Sequence, residues 1–436
     1  MATPFVPALY AIDFGTSNSL LAAASADGVT APIPLEVGVG HDPSILRSVL
    51  YFPGDGTSHC GQEALRRYVD NGMEGRVLRS MKRHLSSRHF TGTMLGGRHV
   101  TPAELVSVVL REMRARANAH FGADVRRAVL GRPARFSLDD ADDALARERL
   151  AEAARIAGFE EVSFLEEPVA AARDFGSSLD AERVALICDF GGGTSDFTVI
   201  RLGPRTFRRA DVLAMGGVPV AGDAYDASIM RHRVAKHFGS EVTYRVPLGA
   251  NVMRMPPAIV ERLCSPFDLT ILRRQDIATF LRNVQSWSLG SEDSRRMEQL
   301  FALVDDALGF QVFEAIERAK RTLSSELSAV IEIAYEPIEI REEITRPAFD
   351  EVSERATELI LAALDDTMKR AGVADDRIDV VVSTGGTAKL PRIGGALRSR
   401  FGRESVRDFK SFHSVVDGLA QHARSIARGE IASGTA

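Results

Sequence analysis

Residues 187–196 read Ile187-Cys188-Asp189-Phe190-Gly191-Gly192-Gly193-Thr194-Ser195-Asp196. The flanks, Val184-Ala185-Leu186-Ile187 and Phe197-Thr198-Val199-Ile200, are short, apolar and rich in β-branched residues, which predicts two buried strands. Three consecutive glycines between them predict a tight hairpin turn. Without side chains, the N–H groups of such a turn can approach an anion closely. Asp189 and Asp196 bracket the turn. A carboxylate beside a phosphate cradle is repulsive unless a hard cation such as Mg²⁺ lies between them. Two readings are open on this stretch alone: a metal–nucleotide site, or a glycine hairpin carrying two solvated aspartates.

A second copy shifts the balance. Leu9-Tyr10-Ala11-Ile12-Asp13-Phe14-Gly15-Thr16-Ser17-Asn18 precedes Ser19-Leu20-Leu21-Ala22, in the same order of apolar strand, Asp-Phe-Gly, small turn and apolar strand. Two such hairpins predict a duplicated domain in which a loop from each half faces a shared cleft.

The bulk properties bound the problem. A chain of 436 residues exceeds one ordinary core and predicts two domains or more. A hydrophobic fraction of 45% with 26% charged residues is that of a soluble globular chain, and a net charge of −5 offers no electrostatic case for nucleic acid or an anionic membrane. Cys60, Cys188 and Cys264 are odd in number and far apart, which argues against a disulfide framework or zinc and fits a reducing cytoplasm. Met1-Ala2-Thr3-Pro4-Phe5 carries no basic region or long apolar run, so no signal peptide is expected, and no apolar run approaches the ~20 residues that span a bilayer. Lysine is scarce, occurring only at Lys82, Lys236, Lys320, Lys369, Lys389 and Lys410. Where arginine is the default cation, a lysine can mark a place that needs a compact ammonium, or chance.

Along the chain, Thr101-Pro102-Ala103-Glu104 predicts a capped helix start, running to about His120 and stopping near Gly122. A strand is expected over 125–130, a turn at Gly131-Arg132-Pro133, a helix over roughly 138–157 and a strand over 162–165. The basic segment around Leu78–Leu85 reads as a solvated helix or loop face. Glu166-Glu167-Pro168 reads as a helix start with carboxylates at its positive end. Met215-Gly216-Gly217-Val218-Pro219 reads as a loop, and Gly222-Asp223-Ala224-Tyr225-Asp226 leads into a helix of about 226–238. Residues 239–305 predict two to four irregular helices without evident chemistry. In the helix expected from Phe310 to Ser325, Glu317, Lys320, Arg321 and Ser324 stand at i, i+3, i+4 and i+7 on one face. That face is either a solvated salt-bridge stripe or a grip for a ribose or purine edge. A helix is expected from about Pro347 to Arg370. Val380 to Thr384 is a strand leading into Gly385-Gly386 and a helix opened by Pro391, a form that receives nucleotides at a strand's carboxyl end.

These motifs together resemble the nucleotide-binding domain of the DnaK-type heat-shock chaperones, within the actin, heat-shock and sugar-kinase superfamily. The resemblance runs from Tyr10 to about Ala420 in the family's order and is closest to the short YegD-type members. It implies an α/β, two-lobed actin-like ATPase fold, made of duplicated ribonuclease-H-like domains with a nucleotide cleft between the lobes. The lobes would be residues 1–183 and 184–425, the second with an enlarged insert at about 239–305, followed by a polar tail, 426–436. It implies a phosphate loop at Asp13–Ser19 with contacts from Thr16, Ser17 and Asn18, and a second at Asp189–Asp196 with contacts from Gly191, Gly192, Gly193 and Thr194. Lys82 looks like the catalytic lysine. Glu167, in Glu167-Pro168-Val169-Ala170-Ala171-Ala172, looks like the carboxylate that helps place the attacking water, with Thr194 and Asp196 assisting. Asp13 and Asp189 would hold Mg²⁺ through water. Glu317, Lys320, Arg321 and Ser324, with Gly222, Gly385, Gly386 and Lys389, would bind the adenosine part.

Two departures are plain: Arg135 replaces the family's aromatic after the turn proline, and Lys389 stands where an arginine usually covers the adenine. No counterpart of the family's hydrophobic linker and peptide-binding β-sandwich is expected in this chain. The implied function is that of a chaperone-like protein that binds ATP/ADP with Mg²⁺, hydrolyses ATP slowly, and meets protein clients or co-chaperones in the cytoplasm. Alternatives are an actin-like filament ATPase, a small-molecule kinase, for which Glu167 is a poor substitute for a catalytic aspartate, and a nucleotide-gated binding module with negligible turnover.

Overall fold

A computed structural model of the protein describes residues 5–36, 42–72, 74–133, 135–137, 139–176, 180–203, 209–266, 268–305, 308–408 and 413–432. Residues 1–4, Lys410 and the last four residues of the expected polar tail lie outside them.

Each Asp-Phe-Gly hairpin seeds a five-stranded sheet. In the first, β1 (Leu9–Phe14) pairs antiparallel with β2 (Asn18–Ala24), which pairs with the short β3 (Leu46–Arg47). On its other side β1 runs parallel to β4 (Arg127–Arg132), and β4 parallel to β5 (Glu161–Glu166). The second sheet repeats this plan. β6 (Arg183–Phe190) pairs antiparallel with β7 (Ser195–Leu202), and β7 with β8 (Val212–Val218). β6 runs parallel to β9 (Val380–Thr384), and β9 to β10 (Val406–Asp408). The orders β3-β2-β1-β4-β5 and β8-β7-β6-β9-β10 are thus the same, strand sense included, and the expected duplicated actin-like α/β fold is present.

β1 is buried on both faces, which is why its sequence reads as a nearly continuous apolar run. Tyr10 and Ile12 face one core with Val106, Val109 and Leu110 of helix α1 (Pro102–Phe121) and Leu150 of α2 (Asp140–Ile156). Leu9 and Ala11 face a second core, filled by Val169 and Ala170 of α3 (Glu167–Gly176) and by Val416, Leu419 and Ala423 of α6 (Ser414–Ala427). That core also takes Ala185, Ile187 and Ile200 from the second sheet. The two helices therefore lie between the sheets and contact each other and strands of both.

The helix signals in the sequence work as physical chemistry requires. Thr101 accepts from Glu104 N at 3.2 Å, Glu104 Oε2 accepts from Thr101 N at 2.7 Å, and Gly122 ends α1 in the left-handed region at φ 63°.

Other expectations need correction. Met215–Val218 is not a loop but most of β8. Its glycines serve close approach rather than a turn: a Cβ at Gly216 would lie 2.1 Å from Thr367 Oγ1, and one at Gly217 2.9 Å from Asp196 Oδ1. Gly131 likewise lies within β4, where a Cβ would press on Glu167 Cγ at 3.2 Å. The expected 347–370 helix is two, Arg346–Val352 and α4 (Glu354–Ala371), broken at Ser353. The 226–238 helix starts earlier, at Gly222, and passes through a π turn at Met230–Val234 before a 3-10 turn. Helix α5 spans Pro391–Phe401, opened by proline as expected. α6 was not anticipated, although Val415, Val416, Leu419, Ala420, Ala423 and Ile426 carry a helical apolar period.

The chain divides into two compact units. One comprises residues 1–67, 77–222 and 358–436 and contains both five-stranded sheets; the other comprises 68–76 and 223–357. The expected lobe boundary at 183/184 falls inside the first unit, one residue into β6. The second unit holds the 239–305 stretch, with helices at Pro257–Leu263, Gln275–Trp287 and Asp293–Asp305, and an antiparallel hairpin of Ser328–Tyr335 with Ile338–Thr345. No helix among the described residues is long and apolar enough to cross a membrane.

Gly418 of α6 sits against the backbone of α3, where a Cβ would fall 1.8 Å from Ala170 O. Gly418→Ala gains about 1 kcal/mol of helix propensity, yet it forces the backbones apart, at a cost of about 1–3 kcal/mol or more. The expected result is a lower urea midpoint. An equal or higher midpoint would show that the two helices do not meet backbone to backbone.

Candidate active site

The chemistry gathers at the carboxyl ends of the strands in the first unit. Asp13 closes β1 and Asp189 closes β6, each one residue before the phenylalanine that ends its strand. Glu167 opens α3 immediately after β5, and Thr384 ends β9 beside Asp189 in register. The carboxyl edge of a parallel sheet is where α/β folds receive ligands, because strand ends turn into loops and helix starts there.

Lys82 is the hub. The segment expected to be a solvated face is a 3-10 turn, Met81–Ser86, with Met81, Lys82 and Leu85 buried. Lys82 Nζ donates to Glu167 Oε1 at 2.6 Å, and both side chains are about nine-tenths buried. Burial works against the ammonium, but Glu167, Asp13 and Asp189 outweigh it and hold the Lys82 pKa above its ordinary value. The carboxylates carry the opposite strain. Burial, then repulsion from Glu167, raises Asp13 well above the usual carboxylate range, and Asp189 adds to this. Burial and Glu167 push Asp189 up to about 6, against a 2.7 Å bond from Thr384 Oγ1 to Asp189 Oδ1. Asp196, paired with Asp189 across the hairpin, is raised by burial, by Asp189 and by Glu167. Its Oδ1 is buried without a hydrogen-bond partner, while Thr194 bonds the carboxylate.

Both turns keep backbone donors open. Gly191 N donates to Thr194 O at 2.9 Å, narrowing the hairpin to a Gly192-Gly193 tip. Among the described residues, no group accepts from the N–H of Gly192, Gly193, Thr16 or Ser17. In the first turn Gly15 is obligatory, since a Cβ would lie 2.1 Å from Asn18 O. Asn18 begins β2. Ser48, which sequence reading passed over, braces this turn: its Oγ donates to Gly15 O at 2.8 Å and its N to Ser17 O at 2.9 Å. Arg83, also unremarked beforehand, lays its stem over Gly193, whose Cβ would sit 3.1 Å from Arg83 Cγ and Cδ. Its adjacency to Lys82 was the one available signal.

The diglycine loop after β9 joins this constellation. Gly385 has φ 86°, and a Cβ there would lie 2.0 Å from Phe190 O. Thr387 Oγ1 donates to Gly191 O at 3.2 Å, and Gly222 N approaches the same oxygen at 3.4 Å. Gly386 and Lys389 of this loop are exposed. Glu317, Lys320, Arg321 and Ser324 belong to the second unit. The helix there is Gly309–Thr322, so Ser324 lies two residues past its end, with its Oγ 3.4 Å from Lys320 O. Glu317 and Lys320 are half-buried and Arg321 is exposed.

The donor set fits a hard divalent cation shared with phosphate. Four acidic side chains face one lysine, and burial first, then their mutual repulsion, raises Asp13, Asp189 and Asp196. Among the described residues, no three His, Cys, Asp or Glu side chains form a metal-binding group on their own. Mg²⁺, which keeps much of its water and takes one or two carboxylates plus phosphate oxygens, suits Asp13 and Asp189 better than a cation that demands a full protein cage.

A carboxyl group whose pKa is raised on folding adds stability that is complete below its unfolded value and is lost as pH rises through its folded value. Asp189, at about 6, therefore costs the nucleotide-free protein stability between about pH 4 and 7. Asp189→Asn should flatten this decline and stabilise the protein at pH 7 by about 1–3 kcal/mol, with little difference near pH 4. Parallel pH–stability curves for the two proteins would contradict this electrostatic account.

The sequence matches the family described as Hsp70 protein over residues 81–246 and 299–432, well over half of the chain. The first block takes in Lys82, Glu167 and the Asp189–Asp196 hairpin, and the second Glu317–Ser324 and the Gly385–Lys389 loop. With an actin-like duplicated fold and an acidic, glycine-lined site at its strand ends, the chain belongs to the Hsp70 family of chaperone-like, ATP-binding proteins.

Proposed function

We propose that this protein binds Mg²⁺·ATP and hydrolyses it slowly to ADP and phosphate, as a nucleotide-controlled chaperone-like protein whose partners are protein clients or co-chaperones. The observation that carries the reading is the buried Lys82–Glu167 pair set among Asp13, Asp189 and Asp196 beside two turns with open backbone donors.

Phosphoryl transfer asks a protein mainly for positioning and electrostatics. The N–H groups of Thr16, Ser17, Gly192 and Gly193 are disposed to receive phosphate oxygens, and Gly191 keeps their hairpin narrow. Asp13 and Asp189 would hold the cation, which when bound offsets charge on the β- and γ-phosphates. Lys82 supplies a buried ammonium for charge developing on the transferred group. Glu167 is held by that ammonium and orients the attacking water. The unpartnered Asp196 Oδ1 is a further acceptor for that water, and Thr194 fixes the carboxylate that bears it. The Gly385–Lys389 loop, tied to Gly191 by Thr387, would carry the nucleoside side of the site.

Removing one positioned donor to a developing anion costs roughly 10²–10³ in rate. In single-turnover hydrolysis with Mg²⁺, Lys82→Ala should fall by about that factor. Glu167→Gln should fall in the same direction. An unchanged rate in Lys82→Ala would remove Lys82 from the mechanism. Tight ATP binding without hydrolysis in the unaltered protein would favour a nucleotide-gated binding module.

A further inference from the structure

An apolar hairpin in the second unit takes no part in the chemistry described above. Thr243–Tyr244 pairs antiparallel with Met253–Arg254. The base of this hairpin is pinned. Buried Tyr244 meets Phe280 edge-on with ring centroids 6.1 Å apart, Arg245 N donates to Trp287 O at 3.1 Å, and Leu289 N donates to Thr243 O at 3.0 Å. Toward the tip the side chains face water: Val246, Leu248, Val252 and Met253 are exposed, and so is Leu289 on the adjoining segment. These are five of the eleven large hydrophobic side chains exposed among the described residues, so they form a cluster and not the single scattered side chains of an ordinary surface.

Leu248 is the sharpest case. Gly249 N donates to Val246 O at 2.9 Å, which closes a turn on Pro247 and Leu248, and Leu248 has φ 64°. A proline followed by a left-handed residue is a turn that favours glycine at the second of these places. A leucine there strains the backbone and gives its whole side chain to solvent, so neither turn chemistry nor a core accounts for it. Residues 247–298 lie between the two blocks that match the Hsp70 family, which makes this tip a feature of the chain and not of the matched pattern.

Charge selects the occupant. Arg245 and Arg254 are exposed on the two arms, and no acidic residue occurs from 242 to 260. A second copy docked on the same patch by two-fold symmetry would set arginines against arginines. The net charge of −5 opposes an anionic membrane. Five apolar side chains and two arginines are also fewer than the roughly 20–30 residues a side of a stable folded interface. Resting on the chaperone-like reading above, we propose that this hairpin is a contact surface for unfolded protein. Its occupant is an extended segment with apolar side chains for the tip and carboxylates for Arg245 and Arg254.

The test is equilibrium binding of the full chain to two permanently unfolded proteins, without nucleotide and with ADP or ATP. One is reduced, carboxamidomethylated α-lactalbumin, which is acidic; the other is lysozyme treated in the same way, which is basic. The variants are Leu248→Gly and the double change Arg245→Gln with Arg254→Gln. Leu248→Gly relieves the turn, so its urea midpoint should equal or exceed that of the unaltered protein. The unaltered protein should prefer the acidic chain, against its own net charge of −5. Leu248→Gly should bind that chain about tenfold more weakly, the scale of leaving one leucine in water. The double variant should lose the preference between the two chains. Undiminished binding of the acidic chain by Leu248→Gly, or a preference of the unaltered protein for the basic chain, would overturn the assignment and leave the chaperone-like reading standing. Self-association, or binding to phosphatidylserine vesicles, that Leu248→Gly abolishes while neither unfolded chain binds would overturn it in favour of a second copy or a lipid surface. Binding of neither unfolded chain in any nucleotide state, with ATP still bound, would overturn the client reading along with it.

Discussion

One buried ammonium faces four acidic side chains in this protein, and much of the first unit is arranged around that imbalance. Lys82 is closed against Glu167 at 2.6 Å, while burial first, and neighbouring carboxylates second, raise the pKa values of Asp13, Asp189 and Asp196. A buried ion pair contributes little net stability in general, because desolvation offsets the attraction. Surplus negative charge beside it is costlier still, and such costs are characteristic of sites built to receive a charged ligand. The sheets that hold these groups are buried on both faces, so the strain is borne by a large apolar framework.

That framework is a duplication read through two levels. Each hairpin places an aspartate one residue before its strand ends, and each sheet repeats the order of the other. Helices α3 and α6 fill the space between the sheets, and glycines set the tolerances. Gly418 allows helix backbones to touch, Gly131 leaves room for Glu167, Gly217 leaves room for Asp196, and Gly385 passes under Phe190. In each case it is the missing Cβ that the fold uses, and only at Gly385, among these four, does the backbone also adopt a positive φ.

Much of this was legible beforehand, for identifiable reasons. The capping box at Thr101–Glu104, the hairpins and the proline-led start of α5 rest on interactions within a few residues, so local sequence carries them. The failures came where distant contacts override local signals. Met215–Val218 reads as a loop because glycines are common in turns, yet its glycines are demanded by Thr367 and Asp196. The 78–85 segment reads as solvated because it is basic, yet Lys82 is drawn inward by carboxylates far away in sequence. Of the three lysines that the resemblance assigned to the site, Lys82 and Lys320 each meet a carboxylate at 2.8 Å or less, and Lys389 is exposed.

The sequence by itself determined the motif order, the duplication and the residue types of the site, because those follow from apolar periodicity and turn chemistry encoded over short spans. Tertiary structure alone decided the electrostatic state of the site and its wiring: that Lys82 pairs with Glu167, that Thr387 and Gly222 converge on Gly191, that Ser48 braces the first turn, and that Asp226 holds Lys320 with one oxygen and leaves the other open. Pair distances and burial depend on which residues the fold brings together from far along the chain, and neither is encoded in any local span of it.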